Sequence, residues 1–213
     1  MTLAGAAVAL AAAFAVVTVQ VMGHDGVARL DPRVASIAAS HRAGWATLLA
    51  EGITWLGSSF VLIPLIVVVG GYFAVRLREW APLIRLSVSL AGAIALYNLG
   101  KLLVDRPRPP QRLRVGSVVP GGSFPSGHAA EALAVWGMMA VLAAVLLTRR
   151  RWIPLVTAVL IVVLVGASRI YLDAHWLTDV LAGYAAGGFW LSAVLALILW
   201  RGRRGLAFRP RRE

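Results

Sequence analysis

Three short polar clusters in this sequence each sit at the edge of a long apolar run. They are KLLVDRPRP at residues 101–109, PSGH at residues 125–128 and SRIYLDAHWLTD at residues 168–179. Lys101, Arg108 and Arg169 are cations contributed by three separate segments. Brought to one surface, they suit a phosphate or diphosphate, whose oxygens take charge-assisted hydrogen bonds. Ser126 stands where a helix would begin. The backbone N–H groups of Gly127 and His128 would then point unpaired at an anion, and Gly127 lets the backbone come close to it.

His175 and Asp179 are four residues apart and share a face if the segment is helical. A carboxylate on one imidazole nitrogen fixes the tautomer and leaves the other nitrogen free to attack. His128 is a second imidazole, available to protonate a leaving oxygen. These are the parts for phosphoryl transfer without a metal, with cations and amides holding the charge of the transition state. Each residue alone has a plainer reading. Arg108 and Arg169 are compatible with interface anchoring, Ser126 with a simple helix cap, and Asp179 with a helix-end charge. Their joint occurrence points to a site. Arg106 also precedes a proline and competes with Arg108 for the first cluster. Arg106, Arg112 and Arg114 would suit a second phosphate or be solvated loop charge. Glu131, one helical turn beyond His128, has several roles open to it. It either tunes His128 towards the protonated form, contacts substrate, pairs with an arginine or faces water.

The elements that must position these groups are membrane helices. The chain has 213 residues, 60% of them hydrophobic and 14% charged, which excludes an ordinary soluble domain. Six apolar segments run from about Leu3 to Val21, Ser58 to Val75, Leu86 to Leu103, Ala129 to Leu147, Ile153 to Tyr171 and Leu177 to Trp200. Each approaches the ~20 residues a bilayer requires, and such spans must be helical. The expected fold is therefore all-α, a polytopic bundle of six transmembrane helices forming one domain over residues 1–213. The first segment has no Lys or Arg before its apolar run, so a retained helix is expected and not a signal peptide. With no cysteine, thiolate ligands and nucleophiles are excluded.

The net charge of +12 comes from 20 arginines and one lysine, Lys101. Clustered between apolar runs, they argue for membrane loops and against nucleic acid. Twelve lie in the loops around 76–85 and 149–151 and in the tail from Arg201, which places that side and both termini in the cytoplasm. All three polar clusters fall on the opposite side. Between the first two spans, Asp31 reads as a helix cap with Pro32 at the first helical position. Val34, Ile37 and Ala38 share a face, giving either a short helix on the membrane surface or an ordered loop.

The clusters resemble the signature of the type 2 phosphatidic acid phosphatase (PAP2) superfamily, K-x6-RP, PSGH and SR-x5-H-x3-D. Lys101 is followed by six residues and then Arg108-Pro109; Pro125-Ser126-Gly127-His128 matches without change; Ser168-Arg169, His175 and Asp179 complete the third motif. This spacing favours Arg108 over Arg106. The resemblance implies an integral membrane lipid phosphatase without cofactor or metal, its site near the outer face of the plasma membrane. It implies His175 as nucleophile forming a phosphohistidine, Asp179 orienting it, and His128 protonating the departing group and later activating water. Lys101, Arg108, Arg169, Ser126 and the amides of Gly127 and His128 would hold the phosphate. Relatives of this kind act on undecaprenyl diphosphate, phosphatidylglycerophosphate or phosphatidic acid; a small chain with short loops favours the polyprenyl diphosphate. Other readings are transfer to a second lipid or sugar and, from another class, an inactive lipid-binding or transport component. The vanadate site of vanadium haloperoxidases is also similar, but those proteins are soluble.

Overall fold

The computed structural model describes residues 2–115, 121–146 and 149–207. Among them are eight α-helices and no strand: α1 (Leu3–Gly23), α2 (Asp31–Ser40), α3 (Gly44–Thr54), α4 (Ser59–Leu77), α5 (Ala81–Val104), α6 (Gly127–Leu146), α7 (Trp152–Tyr171) and α8 (Leu177–Ala207). All except α2 and α3 are long and apolar enough to cross a membrane. They coincide with the six apolar segments expected from the sequence. Local signals set several ends. The Thr2 hydroxyl accepts from Gly5 N at 3.1 Å at the start of α1, and Ser58 caps α4. His24 and Arg78 close α1 and α4 in the left-handed conformation.

The centre of the bundle is α6, which packs on α5, α7 and α8. Its small side chains permit this, because Ala129, Ala130, Ala132 and Ala134 are all fully buried. Below them Leu62 and Ile66 of α4, Leu86 and Leu90 of α5, and Val135 and Met138 of α6 form the main apolar core. On the outside, Phe60, Val75 and Leu102 are more than four-fifths exposed. Such apolar side chains are stable facing hydrocarbon and not water.

Two glycines of α8 bring that helix against α6. A Cβ at Gly183 would lie 2.5 Å from the Ser126 carbonyl oxygen, and one at Gly187 would lie 2.4 Å from that of Ala130. Small residues spaced by four are the usual device for close packing of membrane helices. Here they dock the start of α6 beside the start of α8, the two helix ends that carry PSGH and Asp179.

The segment between the first two spans differs from expectation. Asp31 is not a cap. It is the first residue of α2, its side chain is 1% exposed, and it bonds to α8 and to Arg106. The buried face of α2 runs through Asp31 and Ala35, while Ile37 is 49% exposed. The helix packs on α7 and α8, so it is part of the bundle's outer end. Helix α3, unforeseen in the sequence, packs on α7.

Candidate active site

The third cluster is wound around the end of α7. The Arg169 carbonyl accepts from Ala174 N at 3.1 Å and from His175 N at 3.3 Å. This double turn reverses the chain and brings His175 back over the helix end before α8 begins. Asp173 adopts φ 48° within it and pairs with Arg42 of the α2–α3 turn. Burial pushes the Asp173 carboxyl above its ordinary value, against the pull of Arg42.

His175 is 3% exposed. Its Nδ1 lies 3.5 Å from Asp179 Oδ2, an ion-pair distance that is longer than a formed hydrogen bond. Its Nε2 lies 3.3 Å from Arg108 Nη1. A guanidinium can only donate, so Nε2 is the accepting nitrogen and the ring proton belongs on Nδ1, towards Asp179. Burial is the main cause that pushes the imidazole down to about 4; Asp179 opposes it and Arg169 and Arg108 assist it. The ring is therefore neutral near pH 7, with its lone pair on Nε2, where Arg108 is the donor.

Arg108 is held open by carbonyl groups. It donates to Ala174 O at 2.8 Å, to Gly121 O at 3.3 Å and to Gly122 O at 3.4 Å. Burial pushes its guanidinium below the ordinary value. Arg169, 8% exposed, donates to Thr54 Oγ1 of α3 at 2.9 Å. Lys101 stands at the last turn of α5, its Nζ 5.6 Å from the centre of the Tyr97 ring. The PSGH segment opens α6: the Ser126 carbonyl accepts from Ala130 N at 3.2 Å, and Ser126 N donates to the Asp179 carbonyl at 2.9 Å. The cluster therefore starts a helix as expected, and the backbone bond ties it to α8. Gly127 has a packing reason, since a Cβ there would lie 3.2 Å from the Tyr97 ring.

Arg108 of the first cluster lies against His175 of the third, and Ser126 of the second bonds the Asp179 carbonyl. So the structure brings the three clusters together at one end of the bundle. Ser126 Oγ and Arg169 Nε are buried with no hydrogen-bond partner among the described residues. Buried polar atoms normally have partners. Two donors left over between three cations and two imidazoles are what an anion would take up.

Two candidates have different partners from those expected. Arg106 is neither solvated nor free for a second phosphate. It donates to Asp179 Oδ1 at 2.7 Å, Thr178 Oγ1 at 2.8 Å and Asp31 Oδ2 at 2.7 Å. Glu131 is 5% exposed, so it is not in water, and among the described residues it forms no ion pair with an arginine. Its Oε2 accepts from Ser59 Oγ at 2.5 Å, and Tyr97 lies beside it. Arg112 is exposed, whereas Arg114 is half-buried and faces Arg108. Sequence reasoning missed Thr54, Asp31 and Arg42, which lie outside the motifs and reach the site through tertiary contacts alone.

Known proteins share both sequence and fold with this chain. The PAP2 superfamily matches over residues 82–203. Phosphatidylglycerophosphatase B of Bacillus subtilis (strain 168) is 36% identical over 168 residues, covering 76% of this chain and 80% of that protein. The crystal structure of the first transmembrane PAP2 type phosphatidylglycerolphosphate phosphatase from Bacillus subtilis superposes with a TM-score of 0.85 and 28% identity, over 92% of this chain and 96% of that one. Aquifex aeolicus LpxE has a TM-score of 0.62 at 24% identity, over 78% and 95% of the two chains, and shares the fold. The family match takes in more than half of the sequence and all three clusters, and on that ground the chain belongs to the PAP2 superfamily.

Proposed function

We propose that this protein is a membrane lipid phosphatase in which His175 is the nucleophile. The observation that carries this reading is the setting of His175, with Asp179 on Nδ1 and Arg108 3.3 Å from Nε2. The Nε2 lone pair attacks phosphorus, a P–N bond forms, and the bond from phosphorus to the lipid oxygen breaks. His128 delivers a proton to that oxygen. The negative phosphate between the two rings favours the imidazolium this step needs. Neutral His128 then takes a proton from water, the water oxygen attacks phosphorus, and the P–N bond breaks to release phosphate. Lys101, Arg108, Arg169, Ser126 Oγ and the α6 amides hold the phosphoryl oxygens throughout.

The proposed substrate is a phosphate monoester of a glycerophospholipid, phosphatidylglycerol phosphate first. The similarity in sequence and in fold to phosphatidylglycerophosphate phosphatase of Bacillus subtilis supports this choice. Engagement of Arg106 removes one of the charges that would favour a diphosphate. The second reading is a polyprenyl diphosphate such as undecaprenyl diphosphate. Arg114 favours it, because its buried Nε has no partner among the described residues and the side chain faces Arg108. Phosphate release by purified protein in detergent with EDTA separates the two. Phosphatidylglycerol phosphate, phosphatidic acid and undecaprenyl diphosphate would be compared by kcat/KM. The first should lead; a lead for undecaprenyl diphosphate that Arg114→Gln abolishes would establish the second reading. Release that depends on an added lipid or sugar acceptor would make the protein a phosphotransferase instead, and EDTA inhibition would contradict the mechanism.

A further inference from the structure

Arg106 lies outside the family signature, yet it pairs with two carboxylates, Asp31 and Asp179. Its side chain is 14% exposed, and it lies over the Trp176 ring at 5.4 Å. Nη1 reaches Asp179 Oδ1 and Thr178 Oγ1, and Nη2 reaches Asp31 Oδ2. Asp31 is bound in turn to the first turn of α8. Its Oδ1 accepts from Thr178 N at 3.0 Å, and its Oδ2 accepts from Thr178 Oγ1 at 2.5 Å. A carboxylate at a helix start is stabilised by unpaired N–H groups and by the dipole. Here that carboxylate comes from another helix, 147 residues away in sequence.

We infer that Asp31 and Arg106 are positioning residues, which fix the oxygen Asp179 presents to His175 and set how much of its charge His175 feels. A carboxylate has two oxygens. Arg106 occupies Oδ1, and Trp176 N donates to Oδ2 at 2.9 Å, so the carboxylate plane is held and Oδ2 is turned to Nδ1 of His175. Arg106 also places a positive charge behind Asp179, and Asp31 offsets part of that charge. The inference rests on the reading of His175 as nucleophile.

The sign of each change follows. Without the Arg106 charge, Asp179 acts on His175 at full strength and favours the imidazolium. His175 must be neutral to attack, so the acid limb of kcat/KM moves to higher pH. Without the Asp31 charge, the uncompensated guanidinium works the other way and the limb moves to lower pH. The other charged or titratable groups facing His175 are Arg108 from the loop after α5, Arg169 from α7 and His128 from α6. They are unchanged in both variants. Burial already holds His175 low, about 4, so the limb lies in an accessible acid range. A role confined to holding α2 against α8 would move both limbs together or neither.

The test is the pH profile of kcat/KM on a lipid phosphate monoester in detergent, for wild type, Asp31→Asn, Arg106→Gln, Arg106→Lys and His175→Gln. Ionisation of the substrate is common to all and drops out of the comparison. Arg106→Gln should move the limb up and Asp31→Asn should move it down, each by about half a unit or more. Both should lower kcat by roughly 10-fold or more, with KM within about 3-fold, as expected for an interaction used in the transition state. Arg106→Lys keeps the charge but not the fork, so it should keep the wild-type limb and lose kcat. Should Arg106→Gln not fold, Asp31→Asn and Arg106→Lys decide the matter, being close in shape. Limbs that move together, or that coincide with wild type in folded variants, would overturn the inference. If His175→Gln retained wild-type turnover, the reading beneath it would fail instead.

Discussion

Asp173 shows at the scale of a single residue how the turn before His175 is held. Its φ of 48° suits glycine best, and its carboxylate is 0% exposed. Arg42 resolves the second problem by pairing with that carboxylate, while its Nε donates to Tyr171 O at 3.1 Å. Arg42→Ala should therefore leave a buried charge unpaired and destabilise the fold by about 3–5 kcal/mol. Adding Asp173→Gly should restore much of that loss, since glycine accepts the backbone conformation and carries no charge. Thermal unfolding of the single and double variants in detergent reads this directly, and purely additive losses would contradict the pairing. Such partners were hidden in the sequence. The candidates Lys101, Arg108, His128, His175 and Asp179 stood out because their spacing within each cluster is short and matches the family signature. The bonding of Arg106 did not, because its carboxylate partners lie 75 and 73 residues away.

At the scale of elements, the docking of α8 on α6 places the site. The carbonyls of Ser126 and Ala130 sit where a side chain at 183 or 187 would go. Gly187→Ala should separate the two helices or strain them, costing about 1–3 kcal/mol as overpacking does. Activity should fall with it, because the Ser126 N to Asp179 O bond joins the same two helix starts. Gly71 in α4 is the control, with nothing within 4 Å of an added Cβ. Alanine there should be neutral or stabilise by up to about 1 kcal/mol, as expected for a helix interior. Equal effects at the two positions in a thermal-shift comparison would count against the close approach. The spans themselves were legible because an uninterrupted apolar run has one outcome in lipid. Helix α3 was not, because it is short and Trp45 and Leu48 face outwards, 74% and 71% exposed. Its 11 residues are too few to read as a span, and its buried residue is the small Ala50.

At the scale of the molecule, the apolar exterior and the placement of charge support a proposed direction across the membrane. The site end carries α2 and α3. Arg149, Arg150 and Arg201 lie at the other end, exposed. An excess of basic residues belongs in the cytoplasm, so the site is proposed to face outwards. The chain has no cysteine, which makes single-cysteine labelling unambiguous. In intact cells a membrane-impermeant maleimide should label Ser36→Cys on α2 and should reach Arg150→Cys only after lysis. The reverse pattern would invert the orientation.

The central claim concerns one bond, between phosphorus and Nε2 of His175. Rapid mixing of purified enzyme with a lipid labelled in its terminal phosphate, followed by alkaline quench and peptide mapping, tests it most directly. A phosphohistidine is stable in alkali and lost in acid, which sets it apart from phosphoserine. The label should appear on the peptide containing His175, decay at the rate of turnover, and be absent from His175→Gln. A phosphoryl group on another residue, or turnover by His175→Gln at the wild-type rate, would contradict the account.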